Sequence, residues 1–439
     1  MIFEEKMQPS LPSAKRTPNE KTGVHSWHPY YAGYSEAFVL GAIRYLNLQP
    51  GQIVIDPWIG SGTTNLVCEK IGLRSLGFDL NPVMTIFANA KNAPILNETE
   101  NEIYSVADQL FEKTRKNIRK IILDDHSELS NLINPKAARR LIGLTKNIGL
   151  HPFKTTEIDT ELSKIFSNDP TSKDRCFFQA AAFILARELA GDQNNSNPTW
   201  LKSSLIKKSS PTYSQMQESY KSILNKMIDS SKNGNLTSQL TATNIAIVGN
   251  SKSLPIEANS VDGVIGSPPY LTRIDYAVST RIELGMLVGD TEYRHTRNMM
   301  MGSTTVPKTT PVVLKEWGAT CCDCLEQIFA HPSKASRTYY YRNIANYFND
   351  AFLSISETKR VLKPGGRALI VVQSSYYKSI KIPLGEIYCE MASSIGLDSR
   401  ISSRELVKNH IAYKNSKSMS YLKKRIYHED VVELVKPTT

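Results

Sequence analysis

The sequence predicts an α/β fold, a doubly wound and mostly parallel sheet that carries a largely helical inserted subdomain. Three observations predict it. Short apolar runs bounded by turn residues alternate with stretches of helical periodicity, the pattern of successive βαβ units. Two such runs, Ile53-Val54-Ile55 and Arg74 to Phe78, flank a glycine-rich turn and a helix. A third, Val261 to Gly266, runs directly into Ser267-Pro268-Pro269-Tyr270. Two consecutive prolines offer no N–H and cannot extend a strand ladder, so the chain leaves the sheet there in a stiff direction with a ring just beyond. A rigid strand-to-loop corner with a surface tyrosine is the plainer reading of that stretch taken alone. No internal repeat is visible.

With 439 residues, the chain can bury a large core as one enlarged domain or as two. Its 41% hydrophobic and 22% charged content is that of a globular protein. Residues Met1 to Lys21 are polar and lack an apolar signal core. The longest apolar candidate, Cys176 to Ala190, is interrupted by Arg187 and Glu188. No membrane span and a cytoplasmic location are therefore expected. Six cysteines do not make a disulfide framework in this length. Cys321 and Cys324 have CxxC spacing with Cys322 between them, yet no second pair follows and only His331 is near. Reduced thiols on a helix, and no metal, is the expectation. The net charge of +11 suits a polyanionic partner. From Gly396 to His428 eight Lys and Arg face two acids, with Tyr413, Tyr421 and Tyr427 interleaved. A solvated C-terminal face is the plainer reading of that stretch, and contact with a polyanion the functional one.

Taken in order, an aromatic loop, His28-Pro29-Tyr30-Tyr31, precedes Ser35, an N-cap for the helix Glu36 to Leu46. The first strand ends at Asp56-Pro57-Trp58-Ile59-Gly60-Ser61-Gly62-Thr63-Thr64, and a helix over Asn65 to Ile71 follows. The second strand ends at Asp79-Leu80-Asn81-Pro82, before a helix over Met84 to Lys91. Glycines at the first strand-to-helix turn let a backbone approach a ligand, the helix start offers N–H groups to an anion, and Asp79 can accept from two ribose hydroxyls. That is the logic of a nucleotide-type cofactor site. Its D-P-x-x-G-x-G spacing differs from the nicotinamide-type G-x-G-x-x-G.

Residues 92–240 read as an inserted, mostly helical subdomain, too long to be a connection. Within it, Asn197-Pro198-Thr199-Trp200 echoes the proline corner but lacks its second proline and its strand. Strands over Ile245 to Val248, ending at Gly249-Asn250-Ser251, and Asp262 to Ile265 resume the sheet. Residues 288–338 read as a second, irregular insertion. A helix over Tyr339 to Val361 is stopped by Lys363-Pro364-Gly365-Gly366, followed by a strand over Arg367 to Val372, a helix over Ile387 to Ile395 and one or two antiparallel strands, the clearest Val431 to Val435. The expected division is thus a polar arm at 1–23, a core domain from 24–91, 241–287 and 339–439, and the two insertions.

Three separate stretches resemble one family, the S-adenosylmethionine-dependent DNA amino-methyltransferases of cytosine N4 and adenine N6. Asp56 to Thr64 resembles that family's cofactor motif, usually D-P-F-x-G-S-G-T-T; Gly77-Phe78-Asp79-Leu80-Asn81-Pro82 resembles its ribose-binding motif; and Ser267 to Tyr270 matches its catalytic [DNS]-P-P-[YFW]. His28-Pro29-Tyr30-Tyr31 and Arg360 to Gly366 are similar to flanking family segments. The resemblance covers the sheet-forming half of the chain and not the insertions. It implies a Rossmann-like, class I methyltransferase fold and S-adenosylmethionine as cofactor. His28, Tyr30, Asp56, Pro57, Gly60, Gly62, Thr63, Thr64, Asp79, Asn81 and Asn250 would be cofactor-binding, with the Thr63 and Thr64 hydroxyls beside the methionine part. Asn250 stands where the family usually has an aspartate near the adenine amino group. Ser267, Pro268, Pro269 and Tyr270 would be catalytic.

The chemistry explains those residue types. An exocyclic amino group is a poor nucleophile because its lone pair is delocalised into the ring. Hydrogen bonds accepted by Ser267 Oγ and a carbonyl near Pro268 would localise that pair. The base must leave the duplex to be reached, and Tyr270 would stack on it. Serine at the first motif position favours cytosine N4 within the family. The expected partner is double-stranded DNA, in a restriction-modification or related defence setting. The weighed alternatives are an adenine N6 enzyme, an RNA or protein amino-methyltransferase, and a catalytically silent DNA-binding subunit. The two insertions compete as the target-recognition region, the second as a DNA-contacting loop. The recognition sequence and oligomeric state have no signal in the sequence.

Overall fold

The computed structural model describes residues 10–29, 33–93, 98–150, 171–191, 210–232, 244–271, 274–306, 309–407 and 425–438. The chain opens with helix α1 (Glu36–Tyr45), strand β1 (Ile53–Asp56), helix α2 (Thr63–Lys70), strand β2 (Arg74–Asp79) and helix α3 (Pro82–Ala90). A helical layer follows, made of α4 (Glu100–Asn117), the single turn α5 (Ser127–Ser130), α6 (Pro135–Ile148), α7 (Thr171–Ala190) and α8 (Tyr213–Lys232). Strands β3 (Asn244–Val248) and β4 (Val261–Gly266) lead into α9 (Tyr276–Ser279), α10 (Arg281–Leu287) and α11 (Asp290–Met299). Helices α12 (Ala319–Ala330) and α13 (Tyr341–Val361) precede β5 (Leu362–Gln373) and the hairpin β6 (Ser375–Tyr377) and β7 (Ile380–Ile382). Helix α14 (Leu384–Ser394), β8 (Asp398–Leu406) and β9 (His428–Val435) end the described chain.

Among the described residues, seven strands form one sheet in the order β3-β2-β1-β4-β5-β9-β8. Strands β1 to β5 pair in parallel, while β9 runs antiparallel to both β5 and β8. This is the expected doubly wound, mostly parallel sheet. Side chains alternate across it, so consecutive apolar residues serve opposite faces. Val54, Ile265, Leu369 and Val371 pack with α1, while Ile55, Val264, Ile370 and Val372 pack with α13 and α14. Strand β3 is a sheet edge, and Asn89 of α3 covers it, its Nδ2 donating to the Ala246 carbonyl at 2.8 Å and its Oδ1 accepting from the Ala246 N–H at 2.8 Å. A side chain thus takes the place of a further strand.

Every residue of α3 is buried. The helix lies between the sheet and the helical layer, and the side chains of α4, α6, α7 and α8 continue its core. Phe87 of α3 meets Phe183 of α7 with ring centroids 5.7 Å apart. The helices after α3 therefore share a core with a sheet-bound helix. Among the described residues, no helix is long and apolar enough to cross a membrane.

Several elements depart from the sequence reading. Helix α2 begins at Thr63, two residues before the expected Asn65, because Gly62 in left-handed conformation serves as its N-cap. Helix α3 begins at Pro82 rather than Met84: Asn81 caps it, and proline at the first turn loses no helical hydrogen bond. Residues 288–338 are not irregular, since they contain α11 and α12. Helix α11 buries only Asp290 and Tyr293, so its apolar periodicity is too thin to read. In α12 the buried Cys321, Cys324, Leu325 and Ile328 have helical spacing. Strand β5 runs through Lys363-Pro364-Gly365-Gly366 instead of starting after it; a register shift opposite Val261 and Gly263 absorbs the proline.

Phe183 is fully buried. Phe183→Ala is expected to cost about 3–5 kcal/mol. Because its core includes α3, loss should appear as one lowered transition in denaturant melts followed by tryptophan fluorescence and circular dichroism. Two separated transitions would show that the helical layer unfolds independently of the sheet.

Candidate active site

In an open parallel sheet, ligands bind outside the carboxyl ends of strands where the strand order reverses. Here the reversal lies between β1 and β4, which pair directly through Val54 with Gly263 and Ile55 with Val264. Asp56 at the end of β1 and Ser267 just past β4 therefore emerge side by side.

The turn after β1 is held by buried polar contacts. Asp56 is 1% exposed and accepts from the hydroxyls of Tyr34 and Thr64 and from the Trp58 N–H. Burial still lifts its carboxyl to about 6. Gly62 has φ +85°, and a Cβ there would lie 2.6 Å from Ala88 Cα and Cβ, so α2 and α3 meet only over a glycine. Two cations brace the turn from behind. Arg16 donates to Thr63 Oγ1 at 2.7 Å and to the Tyr34 carbonyl at 3.0 Å. Lys91 donates to the Ser61 carbonyl at 2.6 Å, and burial depresses its ammonium to about 7.

Asp79, at the tip of β2, ties the next loop to this one. Its Oδ2 accepts from the Gly60 N–H at 3.1 Å and its Oδ1 from the Asn81 N–H at 2.9 Å. Burial raises its carboxyl to about 7 against those two bonds. A carboxylate has about four acceptor directions, so capacity for two further donors remains. Asn81 caps α3 through the Val83 N–H and donates to Thr280 Oγ1 at 2.8 Å. At the end of β3, Asn250 accepts from the Lys252 N–H at 3.1 Å.

Beyond β4, Ser267 Oγ donates to the Val371 carbonyl of β5 at 3.1 Å. The Tyr347 hydroxyl donates to the Pro269 carbonyl at 3.1 Å and the Ser375 hydroxyl to the Leu271 carbonyl at 2.6 Å. The Tyr270 hydroxyl donates to Glu429 of β9 at 3.2 Å. Glu429 has its carboxyl raised by burial, against that bond.

A single cleft runs along these loops. One part is lined by Pro57, Trp58, Asp79, Asn81, Gly249 and Asn250. The other is lined by Ser267, Pro268, Pro269 and by Met299, Met300 and Met301. Of the residues singled out in the sequence, Asp56, Gly60, Gly62, Thr63, Thr64, His28 and Tyr270 do not line the cleft but lie behind or beside it. The Thr63 and Thr64 hydroxyls, expected beside the methionine part of a cofactor, instead face Arg16 and the Asp56–Tyr34 pair. His28 is buried with its ring 4.8 Å from Phe87 and its Nε2 3.6 Å from Glu283. Burial raises the Glu283 carboxyl, but Arg187 and His28 outweigh that and hold it at about 2. Arg187 also donates to the Ser279 carbonyl at 2.6 Å, in the wall of the cleft. Tyr30 lies outside the described residues, as does the Asn197 to Trp200 stretch.

The sequence reading did not single out Arg16, Lys91, Tyr347 or the three methionines. Lys91 had a signal, as a lone cation ending the uninterrupted uncharged run of α3. Of the basic stretch from Gly396 to His428, Arg400 and Arg404 are ion-paired within the sheet, to Glu433 and Asp430, and 408–424 lie outside the described residues.

The turn after β1, through Pro57 and Trp58, an acid at the second strand tip and a proline corner share one cleft on a doubly wound sheet. That combination matches the class I methyltransferase fold. Residues 10–88 match the model of a family described as DNA methylase. The chain is also similar to the Type II methyltransferase M.BsoBI of Geobacillus stearothermophilus, 24% identical over 421 residues that span 86% of this chain and 79% of the relative. M.AvaI of Anabaena variabilis is 23% identical over 408 residues, spanning 87% and 80%. M.MvaI of Kocuria varians is 24% identical over 390 residues, spanning 85% and 82%. Residues 10–88 thus resemble that DNA methylase family, and most of the chain is similar to Type II methyltransferases.

Gly62→Ala should cost about 2 kcal/mol or more, because the new methyl meets α3 backbone and φ is positive. Chemical denaturation of the purified variant measures this, and an unchanged midpoint would contradict the packing described.

Proposed function

We propose that this protein transfers a methyl group from S-adenosylmethionine to N4 of a cytosine flipped out of double-stranded DNA, as the modifying partner of a restriction system. The observation that carries the reading is at Ser267. Its one hydroxyl proton is committed to the Val371 carbonyl, so the oxygen facing the cleft has only acceptor capacity left. An acceptor is what an exocyclic amino group needs, because accepting its N–H localises the nitrogen lone pair. The Pro268 carbonyl is the second acceptor. The relatives named Type II methyltransferases support DNA as the substrate and a restriction setting. Serine rather than Asp or Asn at the motif's first position favours cytosine over adenine.

The cofactor fits the residues present. Asp79 has unused acceptor capacity for two ribose hydroxyls, Asn250 sits beyond it for the adenine end, and Pro57 with the Gly60 turn borders the methionine part. S-adenosylmethionine supplies the methyl on a sulfonium, which makes it transferable without a metal. The chain's own work is to accept the amino hydrogens at Ser267 and Pro268 and to hold the base against the Tyr270 ring, which Glu429 tethers. Residues 288–338 send Met299, Met300 and Met301 into the same cleft, which supports that stretch as the segment touching the base, with the helices of 92–240 as the reader of the surrounding duplex.

Sequencing of modified bases in DNA from an expressing host tests the reading, with N4-methylcytosine at one motif expected. N6-methyladenine there would replace the cytosine assignment, and modified RNA alone would overturn DNA as substrate. Ser267→Ala should lower kcat about 100-fold, and Tyr270→Ala more, with cofactor affinity retained. Asp79→Ala should instead weaken cofactor binding by roughly 10- to 100-fold in calorimetry. The charged Asp79 accepts the hydroxyls better, and its carboxyl titrates at about 7. Affinity should therefore fall as pH drops through that value and level off above it. An affinity flat from acid to alkaline pH would remove Asp79 from the ribose site.

A further inference from the structure

A proline pair deprives a loop of its own donors. Pro268 and Pro269 carry no N–H, so this corner must be fixed mainly through its carbonyl oxygens and side chains. In the structure donors arrive from two other elements. Tyr347 of α13 is 1% exposed, and its hydroxyl donates to the Pro269 carbonyl at 3.1 Å. Ser375 of β6 is 6% exposed, and its hydroxyl donates to the Leu271 carbonyl at 2.6 Å. These bonds bracket Tyr270 on both sides. Gly302, with φ +72°, closes the third side: a Cβ there would lie 3.3 Å from the Tyr270 carbonyl oxygen.

We propose that Tyr347 and Ser375 are positioning residues for methyl transfer. By holding the carbonyls of Pro269 and Leu271 they fix the peptide planes around Tyr270, and so the aim of Ser267 and Pro268 toward the amino group. Neither residue lies in a motif of the corner itself; they reach it only through the fold. The inference rests on the amino-group methylation proposed above. Small displacements of reacting groups have large effects on rate, about 100-fold for 1 Å. A side chain that only filled the core would change stability and leave the chemical step alone.

The helical layer supplies a matched control. Tyr220 is also fully buried, and its hydroxyl donates to a backbone carbonyl, that of Phe178, at 2.7 Å. Full-length wild type, Tyr347→Phe, Ser375→Ala and Tyr220→Phe would be compared for melting, for S-adenosylmethionine binding by calorimetry, and for single-turnover transfer of tritiated methyl to unmodified genomic DNA. The expected result for Tyr347→Phe is a rate lowered roughly 10- to 100-fold with unchanged cofactor affinity. For Ser375→Ala a loss of roughly three- to tenfold is expected. Tyr220→Phe should melt lower and transfer at the wild-type rate. A folded Tyr347→Phe with the wild-type rate, or an equal loss in Tyr220→Phe, would overturn the inference. Should Tyr347→Phe fail to fold, Ser375→Ala decides alone, and an undiminished rate there sinks it. A wild-type protein that binds cofactor but methylates no DNA would strike down the methylation reading itself, and the positioning role with it.

Discussion

The direct pairing of β1 with β4 is the constraint on which the site depends. Val54 and Gly263 are neighbours in space although the whole helical layer separates them in sequence. Only that pairing sets the turn after Asp56 beside the corner at Ser267. The hydrogen bonds of the strands do the long-range work, and the loops merely inherit their separation. Gly263 has its own part here, since a Cβ on it would meet Leu48 at 2.8 Å. Such a pairing, distant in sequence, carries a loop-closure cost that local contacts do not.

Much of the fold was legible because its signals are local. An apolar run followed by glycines, an acid or a proline pair marks a parallel strand and its exit, and β1, β2 and β4 all carry such marks. The antiparallel end was harder. Strand β8 alternates weakly and exposes Arg400 and Arg404, so only Val431 to Val435 stands out clearly among the one or two antiparallel strands expected; β9 supplies Glu433 and Asp430 as partners of the two arginines. Helix α11 hid for the same reason, its polar side chains satisfied by residues far away, as Arg297 is by Asp275.

The candidate site divides similarly. Asp79, Asn250 and Ser267 could be named from the turns they end, and they line the cleft. What the sequence could not convey is which motif residues face inward. Thr63 and Thr64 sit in the motif as invitingly as Gly60, yet their hydroxyls serve Arg16 and Asp56. A motif records that residues act together; it does not separate those that touch a ligand from those that hold the loop. Arg16, Lys91 and Tyr347 show the converse, belonging to the site through contacts that no spacing encodes.

Burial lifts the carboxyl of Asp56, held behind the turn by Tyr34 and Thr64, to about 6, and that of Asp79, half-buried in the wall of the cleft, to about 7. Near neutral pH Asp79 is therefore only partly ionised, and the fold escapes part of the cost of holding a second bare carboxylate near the first. The charge on that wall of the cleft accordingly changes with pH close to neutrality, where an ordinary surface aspartate would already be fully ionised.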